Sequence, residues 1–346
     1  MRAIQIVDLS GPASALALVD TPAPAQPPSH MLSAGGGVLI EVHAAGVSFP
    51  EVLQTRGQYQ LKPPLPFIPG SEVAGIVRAA SPDAGVRVGE RVAAFCALGG
   101  FAEQAVAPPF LTFPLPQELD FAQGASLILN YHTAHFALQL RGRLRAGETV
   151  LVHGAAGGVG SAALQVARGL GAHTLAVVSS DEKAQFAREA GAEQVLRSDG
   201  PWKDQARELT DGRGVDVVLD PVGGERFTDS LRALAEGGRL VVVGFTGGAI
   251  PEVRVNRLLL ANTEIVGAGW GGYALGKPRL CRDIGAALAQ MIEDGTVRPL
   301  VGARYPLEQA AQALQAIDER RALGKVVLDV QAGTDVQASV DAQAAA

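Results

Sequence analysis

Beyond about residue 121, short apolar runs alternate with longer stretches of helical periodicity. TVLVHG, HTLAVVSS, VDVVLD and RLVVVGF read as strands, and the segments between them, FTDSLRAL included, read as helices. Strands alternating with helices at this interval build β-α-β units and hence a parallel sheet. The first hundred residues have another texture. IQIVDL, VLIEVHAAGVSF, EVAGIVRAA and ERVAAFCAL are short strand candidates punctuated by TPAPAQPP and SAGGG, which predicts a β-rich, loop-rich module ending at APPFLTFPLP. The seam falls near residue 124. After IVGAGWGG come two helical segments, CRDIGAALAQMIEDG and LEQAAQALQAIDERRA, and a last strand, GKVVLDV. Residues 331–346, small and polar, read as a disordered tail.

Composition narrows the class. A chain of 346 residues exceeds one ordinary hydrophobic core, so two domains are expected. With 47% apolar and 18% charged residues it reads as a soluble globular protein. The net charge is −6 and no dense run of Lys or Arg marks a nucleic-acid or anionic-membrane surface, which favours small-molecule partners. Cys96 and Cys281 stand far apart without C-x-x-C spacing, so neither a disulfide framework nor a cysteine metal site is expected, and a reducing cytoplasm is the simplest home. MRAIQIVDLS lacks the apolar core of a secretory signal. The uncharged stretch Thr149 to Ala167 imitates a membrane span in hydropathy, but its glycines and histidine point to strand, turn and helix.

That stretch carries the main chemical signal. Gly154, Gly157 and Gly160 lie between a strand ending at His153 and a helix starting near Gly160. Glycines let the backbone approach a dinucleotide pyrophosphate, and the helix start offers unpaired N–H groups and partial positive charge. The spacing is G-x-x-G-x-x-G rather than G-x-G-x-x-G, so the β-α-β context carries the assignment; a turn serving helix packing alone is the plainer alternative. About 20 residues on, where an acid would bind the ribose of NAD, the strand ends in Ser179 and Ser180, followed by Lys183. Hydroxyls and an ammonium suit a 2′-phosphate, which predicts NADPH. Two alternatives stand there: a capping box of Ser179 and Glu182 with Asp181 in the first turn, and an acid two residues late that still reaches a ribose.

Taken in order, GVSFPEVLQTRGQY, PFIPGSEVAG, GERVAAF, NYHTAHFAL, GETVLVHGAAGGVG, VDVVLDPVGG and GKVVL resemble the quinone oxidoreductase branch of the medium-chain dehydrogenase/reductase superfamily. The resemblance spans about residues 1 to 330. It implies an α/β protein: a GroES-like β-rich catalytic domain, residues 1–124 completed by about 266–330, and a Rossmann doubly wound parallel-sheet domain, 125–265. It also implies a cleft between the two and a homodimer.

The zinc-dependent members carry Cys and His where this chain has Ser48 and Ser71, and its cysteine-rich lobe is missing. His132 and His135 share a helix face but lack a third ligand nearby, so no metal site is expected. Without a Lewis acid, hydride delivery to a conjugated acceptor, a quinone or an α,β-unsaturated carbonyl, is the expected reaction. Ser48, where the family more often has Asn, and Tyr59 match positions facing the acceptor; Tyr59 is a candidate donor to the developing oxyanion. For the cofactor the resemblance nominates Asn130 and Thr133 on the nicotinamide side and Gly157, Gly158 and Val159 at the pyrophosphate, beside Gly154 and Gly160. It nominates Ser179, Lys183 and either Arg197 or Ser198 at the 2′-phosphate, Gly244 and Phe245 at a strand end, and Gly324 with Lys325 in the terminal motif, where Lys325 has the alternative of a solvated strand start. Asp220 reads as a turn organiser rather than a base. Trp270 is left between walling the acceptor pocket and plugging the seam. Two other functions stay open: an enoyl-thioester reductase, for which Arg141, Arg143 and Arg145 are the one basic cluster, and an NADPH-binding protein with little turnover.

Overall fold

The computed structural model describes residues 1–24 and 37–331; the second half of TPAPAQPP, most of SAGGG, and the tail from 332 lie outside the described residues. The chain divides into two compact units, residues 1–128 with 301 onward, and residues 129–300.

In the first unit β1 (Arg2–Ile6) and β2 (Leu16–Asp20) form an antiparallel pair. β3 (Val38–Val47), β4 (Glu72–Ala80), β5 (Arg91–Phe95), β6 (Gln104–Ala107) and β7 (Thr112–Pro114) build most of a larger sheet. Val38, Ile40 and Val42 of β3 alternate inward onto Val73, Val77 and Val92, a period-two pattern that buries one face.

The second unit holds β8 (Thr149–His153), β9 (His173–Val178), β10 (Gln194–Arg197), β11 (Val215–Asp220), β12 (Leu234–Val242) and β13 (Glu264–Gly267). All six pair in parallel in the order β10-β9-β8-β11-β12-β13. That is the doubly wound order 3-2-1-4-5-6, with its topological switch between β8 and β11. Every residue of β8 is buried, because helices cover both faces, and this explains the continuous apolar run. The uncharged stretch resolves into β8, a turn and the helix Gly158–Gly169; the helix starts two residues earlier than the sequence suggested. Among the described residues no helix is long and apolar enough to cross a membrane.

The chain then returns to the first unit with β14 (Val301–Pro306) and β15 (Lys325–Asp329), completing the order β14-β15-β3-β4-β5-β7 with β6 also on β3. The domain boundaries differ from the expected 124 and 265. The return falls at 301 because the helix Pro278–Glu293 belongs to the parallel-sheet unit: it buries Ile284, Leu288 and Met291, and a Cβ on Gly169 would lie 2.9 Å from the Met291 sulfur. Gln165, on the same helix as Gly169, fixes the end of that segment. Its amide donates to the Arg298 carbonyl at 2.9 Å, and its oxygen accepts from the Arg298 N–H at 2.9 Å and from the Tyr131 hydroxyl at 2.9 Å.

Candidate active site

The glycine loop is built by close approach. Gly154, with φ +57°, turns the chain after β8, and Gly157 caps the helix with no side-chain oxygen on the first N–H groups. A Cβ on Gly160 would stand 2.2 Å from the Gly154 carbonyl oxygen, and one on Gly158 would stand 2.5 Å from Asn130 Nδ2. Packing against backbone requires the glycine at 160, whereas at 158 the obstacle is the end of the Asn130 side chain. Gly157 faces no such obstacle: a Cβ there would meet only the Gly154 oxygen, at 3.4 Å, an ordinary contact. Its bare backbone fits a ligand brought against the helix start, so the loop suits a pyrophosphate.

Beyond β9 two cations gather on one residue. Lys183 Nζ donates to Ser179 Oγ at 3.4 Å, and Arg197 Nη2 donates to the Ser179 carbonyl at 3.1 Å. Arg197 also reaches Asp181 at 2.5 Å and Asp199 at 3.2 Å, while its buried Nε has no protein acceptor among the described residues. The alternative reading, a capping box of Ser179 and Glu182, is not formed. Ser180 is the N-cap, its hydroxyl accepting from Lys183 N–H at 3.2 Å, which leaves the Ser179 hydroxyl outside the cap. Ser198 contributes a backbone N–H to Val178 at 2.8 Å, extending the β9–β10 ladder. Two cations and a hydroxyl fit a 2′-phosphate, and the acids Asp181 and Asp199 are both held by Arg197.

At the carboxyl edge of the sheet the loop after β12 lies on the loop after β11. Val243 N–H donates to the Asp220 carbonyl at 2.9 Å, and a Cβ on Gly223 would stand 2.9 Å from the Phe245 ring, so Gly244 and Phe245 sit at this strand end. Asp220 Oδ1 accepts from the N–H groups of Val222 and Gly223 at 2.8 and 2.9 Å, the turn-organising role. Burial raises the pKa of its carboxyl.

Asn130 and Thr133 are buried on the helix Ile128–His135, with Asn130 against Gly158. On the same helix burial pushes His132 down to about 3, with His135 adding to it, and pushes His135 down to about 4. Trp270 is buried edge-on to His132, with ring centroids 5.5 Å apart, and so belongs to the interior of the parallel-sheet unit.

The first unit holds a second polar cluster. β3 lies between β15 and β4, with Val326 opposite Val47 and Glu72 opposite Gly46, so the starts of β15 and β4 flank the end of β3, where Ser48 follows. Lys325 Nζ donates to Ser48 Oγ at 2.6 Å and is ion-paired with Glu72. The lysine and glutamate side chains are 3% and 0% exposed, which rules out a solvated strand start. Gly324 precedes it with φ +52°. The short helix Phe49–Gln54 brings in Glu51, which accepts from Ser71 Oγ at 2.7 Å and from Ser48 N–H at 3.0 Å. Burial raises the Glu51 pKa, against opposing pulls from Ser71 and Lys325. Tyr59 is half-buried, and burial together with the Glu51 charge raises its pKa, so it stays a protonated donor.

Glu51 and Glu72 were not among the residues singled out in the sequence. The S-x-x-E spacing of Ser48 and Glu51, a capping-box pattern, was the available signal.

This cluster does not fit a zinc ion. Ser48 and Ser71 offer hydroxyls, an ammonium occupies the cluster, and no three His, Cys, Asp or Glu residues among those described are placed to hold a metal.

The family descriptions "Alcohol dehydrogenase GroES-like domain" and "Zinc-binding dehydrogenase" match residues 34–117 and 158–283. The chain is 38% identical over 315 residues to quinone oxidoreductase-like protein 2 of Bos taurus, covering 90% of this chain and 88% of that protein. A mycobacterial protein solved in complex with NADPH superposes with a TM-score of 0.86 at 35% identity, over 95% of this chain and 100% of that one. The quinone oxidoreductase of Thermus thermophilus, also solved with NADPH, gives 0.81 at 34% identity, over 95% and 100%. The chain therefore belongs to the quinone oxidoreductase group of the medium-chain dehydrogenase/reductase superfamily. Its fold is the expected one, a GroES-like domain with a Rossmann domain.

Proposed function

We propose that this chain is an NADPH-dependent, metal-free reductase of quinones or activated α,β-unsaturated carbonyls. The observation that carries the reading is the Lys325 ammonium bonded to Ser48 and Glu72, with Ser48 and Ser71 standing where zinc-dependent relatives hold metal ligands. An acceptor that delocalises the incoming charge needs no Lewis acid to be reduced. NADPH, when bound, supplies the hydride.

The chain's residues divide the binding between them. Gly154, Gly157, Gly158, Val159 and Gly160 receive the pyrophosphate at the helix start. Ser179, Lys183 and Arg197, with Ser198 beside them, receive the 2′-phosphate. Asn130 and Thr133 serve the nicotinamide side, and Gly244 and Phe245 the sheet edge. Ser48 and Tyr59 offer hydrogen bonds to the acceptor, and solved relatives that bind NADPH support the cofactor.

The thioester alternative is weakened by its own candidate cluster. Arg141 donates to the Gly267 carbonyl at 2.8 Å, Arg143 pairs with Glu264 at 2.7 Å, and Arg145 uses its backbone N–H on Glu148 at 2.9 Å. Two of these three guanidinium groups are therefore engaged within the unit. A reducing cytoplasm suits the two buried, unpaired thiols Cys96 and Cys281. A homodimer completes the reading, and Ile250, Val255, Leu259 and Leu260, all more than 70% exposed, give it an apolar surface.

The test is NADPH consumption against a para-quinone, an ortho-quinone, a simple enone and crotonyl-CoA. Quinone or enone turnover is expected; turnover of crotonyl-CoA alone would establish the thioester reductase, and tight NADPH binding without any turnover the binding-protein alternative.

A further inference from the structure

Lys325, Ser48 and Glu72 form a buried chain whose donor directions are fixed by chemistry. An ammonium has three donors and no acceptor, so in the 2.6 Å contact the lysine donates and the Ser48 oxygen accepts. The hydroxyl hydrogen of Ser48 cannot return to Lys325 and is left for another acceptor. Ser48 is half-buried, whereas Lys325 and Glu72 are fully buried, so the serine is the member of the chain that a ligand can touch. The cation cannot swing away. Glu72 grips it, and the β15–β3–β4 register fixes both ends.

A charge-assisted bond to a hydroxyl oxygen draws electron density from it and strengthens the donation of its own O–H. We propose that Lys325 is a positioning residue for reduction: through Ser48 it acts as a fixed cation, turning the serine hydroxyl outward to donate to the negative oxygen that the acceptor develops. The inference rests on the hydride-transfer reading above. The acceptor gains two electrons and one hydrogen from NADPH, which is oxidised; a new bond to hydrogen forms on the acceptor, and its oxygen becomes negative. Ser48 holds that oxygen by hydrogen bond until water supplies the proton that completes the hydroquinone or enol. The lysine gives up no proton, and the ion pair with Glu72 survives the cycle.

This arrangement predicts a dependence on the acceptor that a structural lysine does not produce. Electron-rich quinones develop a more basic oxygen and rely more on a donor than electron-poor ones. Ser48→Ala should lower kcat by roughly 100-fold for an electron-rich para-quinone, with KM little changed and a much smaller loss for an electron-poor one. Ser48→Thr should restore most of it. Lys325→Met isolates Glu72 in the interior and risks the fold, so the cation is tested in the double variant Lys325→Met, Glu72→Gln. Its loss should follow the same trend, and adding Ser48→Ala should cost nothing further.

Binding gives a readout that needs no turnover. With para-nitrophenol as probe and its visible band as the measure, the wild-type protein with NADP⁺ should hold a larger phenolate fraction at a given pH than free solution, and both variants should abolish the excess. The same fold loss across the quinone series, or an unchanged phenolate fraction in the variants, overturns the role of Lys325. Should the wild type reduce no quinone or enone, the proposed function fails while the nitrophenol titration still decides whether Ser48 and Lys325 favour an anionic oxygen.

Discussion

Arg197 and Ser179 meet through the main chain: the guanidinium of one donates to the carbonyl of the other at 3.1 Å, and Lys183 takes the hydroxyl of the same serine at 3.4 Å. Two cations are thus held at the end of β9, Lys183 by a neutral hydroxyl and Arg197 also by Asp181 and Asp199, so Lys183 is the one to test. Removing Lys183 as Lys183→Ala should weaken NADPH binding roughly tenfold, the scale of one partly solvated charge-assisted bond, and leave NADH binding unchanged. Titration of the protein with each nucleotide checks this; equal losses for both would move the 2′-phosphate elsewhere.

The glycines of the loop should separate by role. Gly160→Ala drives a Cβ to 2.2 Å from a carbonyl oxygen and should cost roughly 1–3 kcal/mol of stability. Gly157→Ala meets nothing closer than 3.4 Å and should keep stability within about 1 kcal/mol while weakening NADPH binding. Urea unfolding beside nucleotide titration distinguishes the two.

Three buried histidines make the parallel-sheet unit acid-sensitive. Burial pushes His132 to about 3, His135 to about 4 and His153 to about 3, from an ordinary 6.5. In this range the unfolded chain binds protons that the folded unit refuses, so the stability they contribute is present above 6.5 and is lost as pH falls toward 4. The slope should approach about 4 kcal/mol per pH unit once all three are charged when unfolded. The chain's two tryptophans, Trp202 and Trp270, are both buried in this unit and report its unfolding by fluorescence. His153 also bonds Ser230 at 2.8 Å, so His153→Gln should reduce the slope by about a third whatever its effect at neutral pH.

If the exposed side chains of 250–260 mark the surface between two copies, Leu259→Asp with Leu260→Asp should give a monomer by sedimentation while the wild type sediments as a dimer. A wild-type monomer would remove the homodimer from the reading.

What the sequence revealed follows burial. β8, β9 and β11 were legible because helices cover both faces and every position is under the same pressure to be apolar. β2, β7, β10, β13 and β14 hold at most one fully buried residue each and left almost no pattern. The glycine loop was legible because its geometry is local. The cluster around Lys325 was not, since its members come from residues 48, 72 and 325 and meet through antiparallel register rather than spacing. Glu51 and Glu72 looked like ordinary polar positions, and only the fold shows both to be buried.

Metal-free reduction with NADPH is tested most directly by quinone reduction with chelator-treated protein, supplied with NADPH and with NADH. Undiminished turnover after chelation and a clear preference for NADPH are expected. Loss of activity on chelation, restored by zinc, would contradict metal-free reduction.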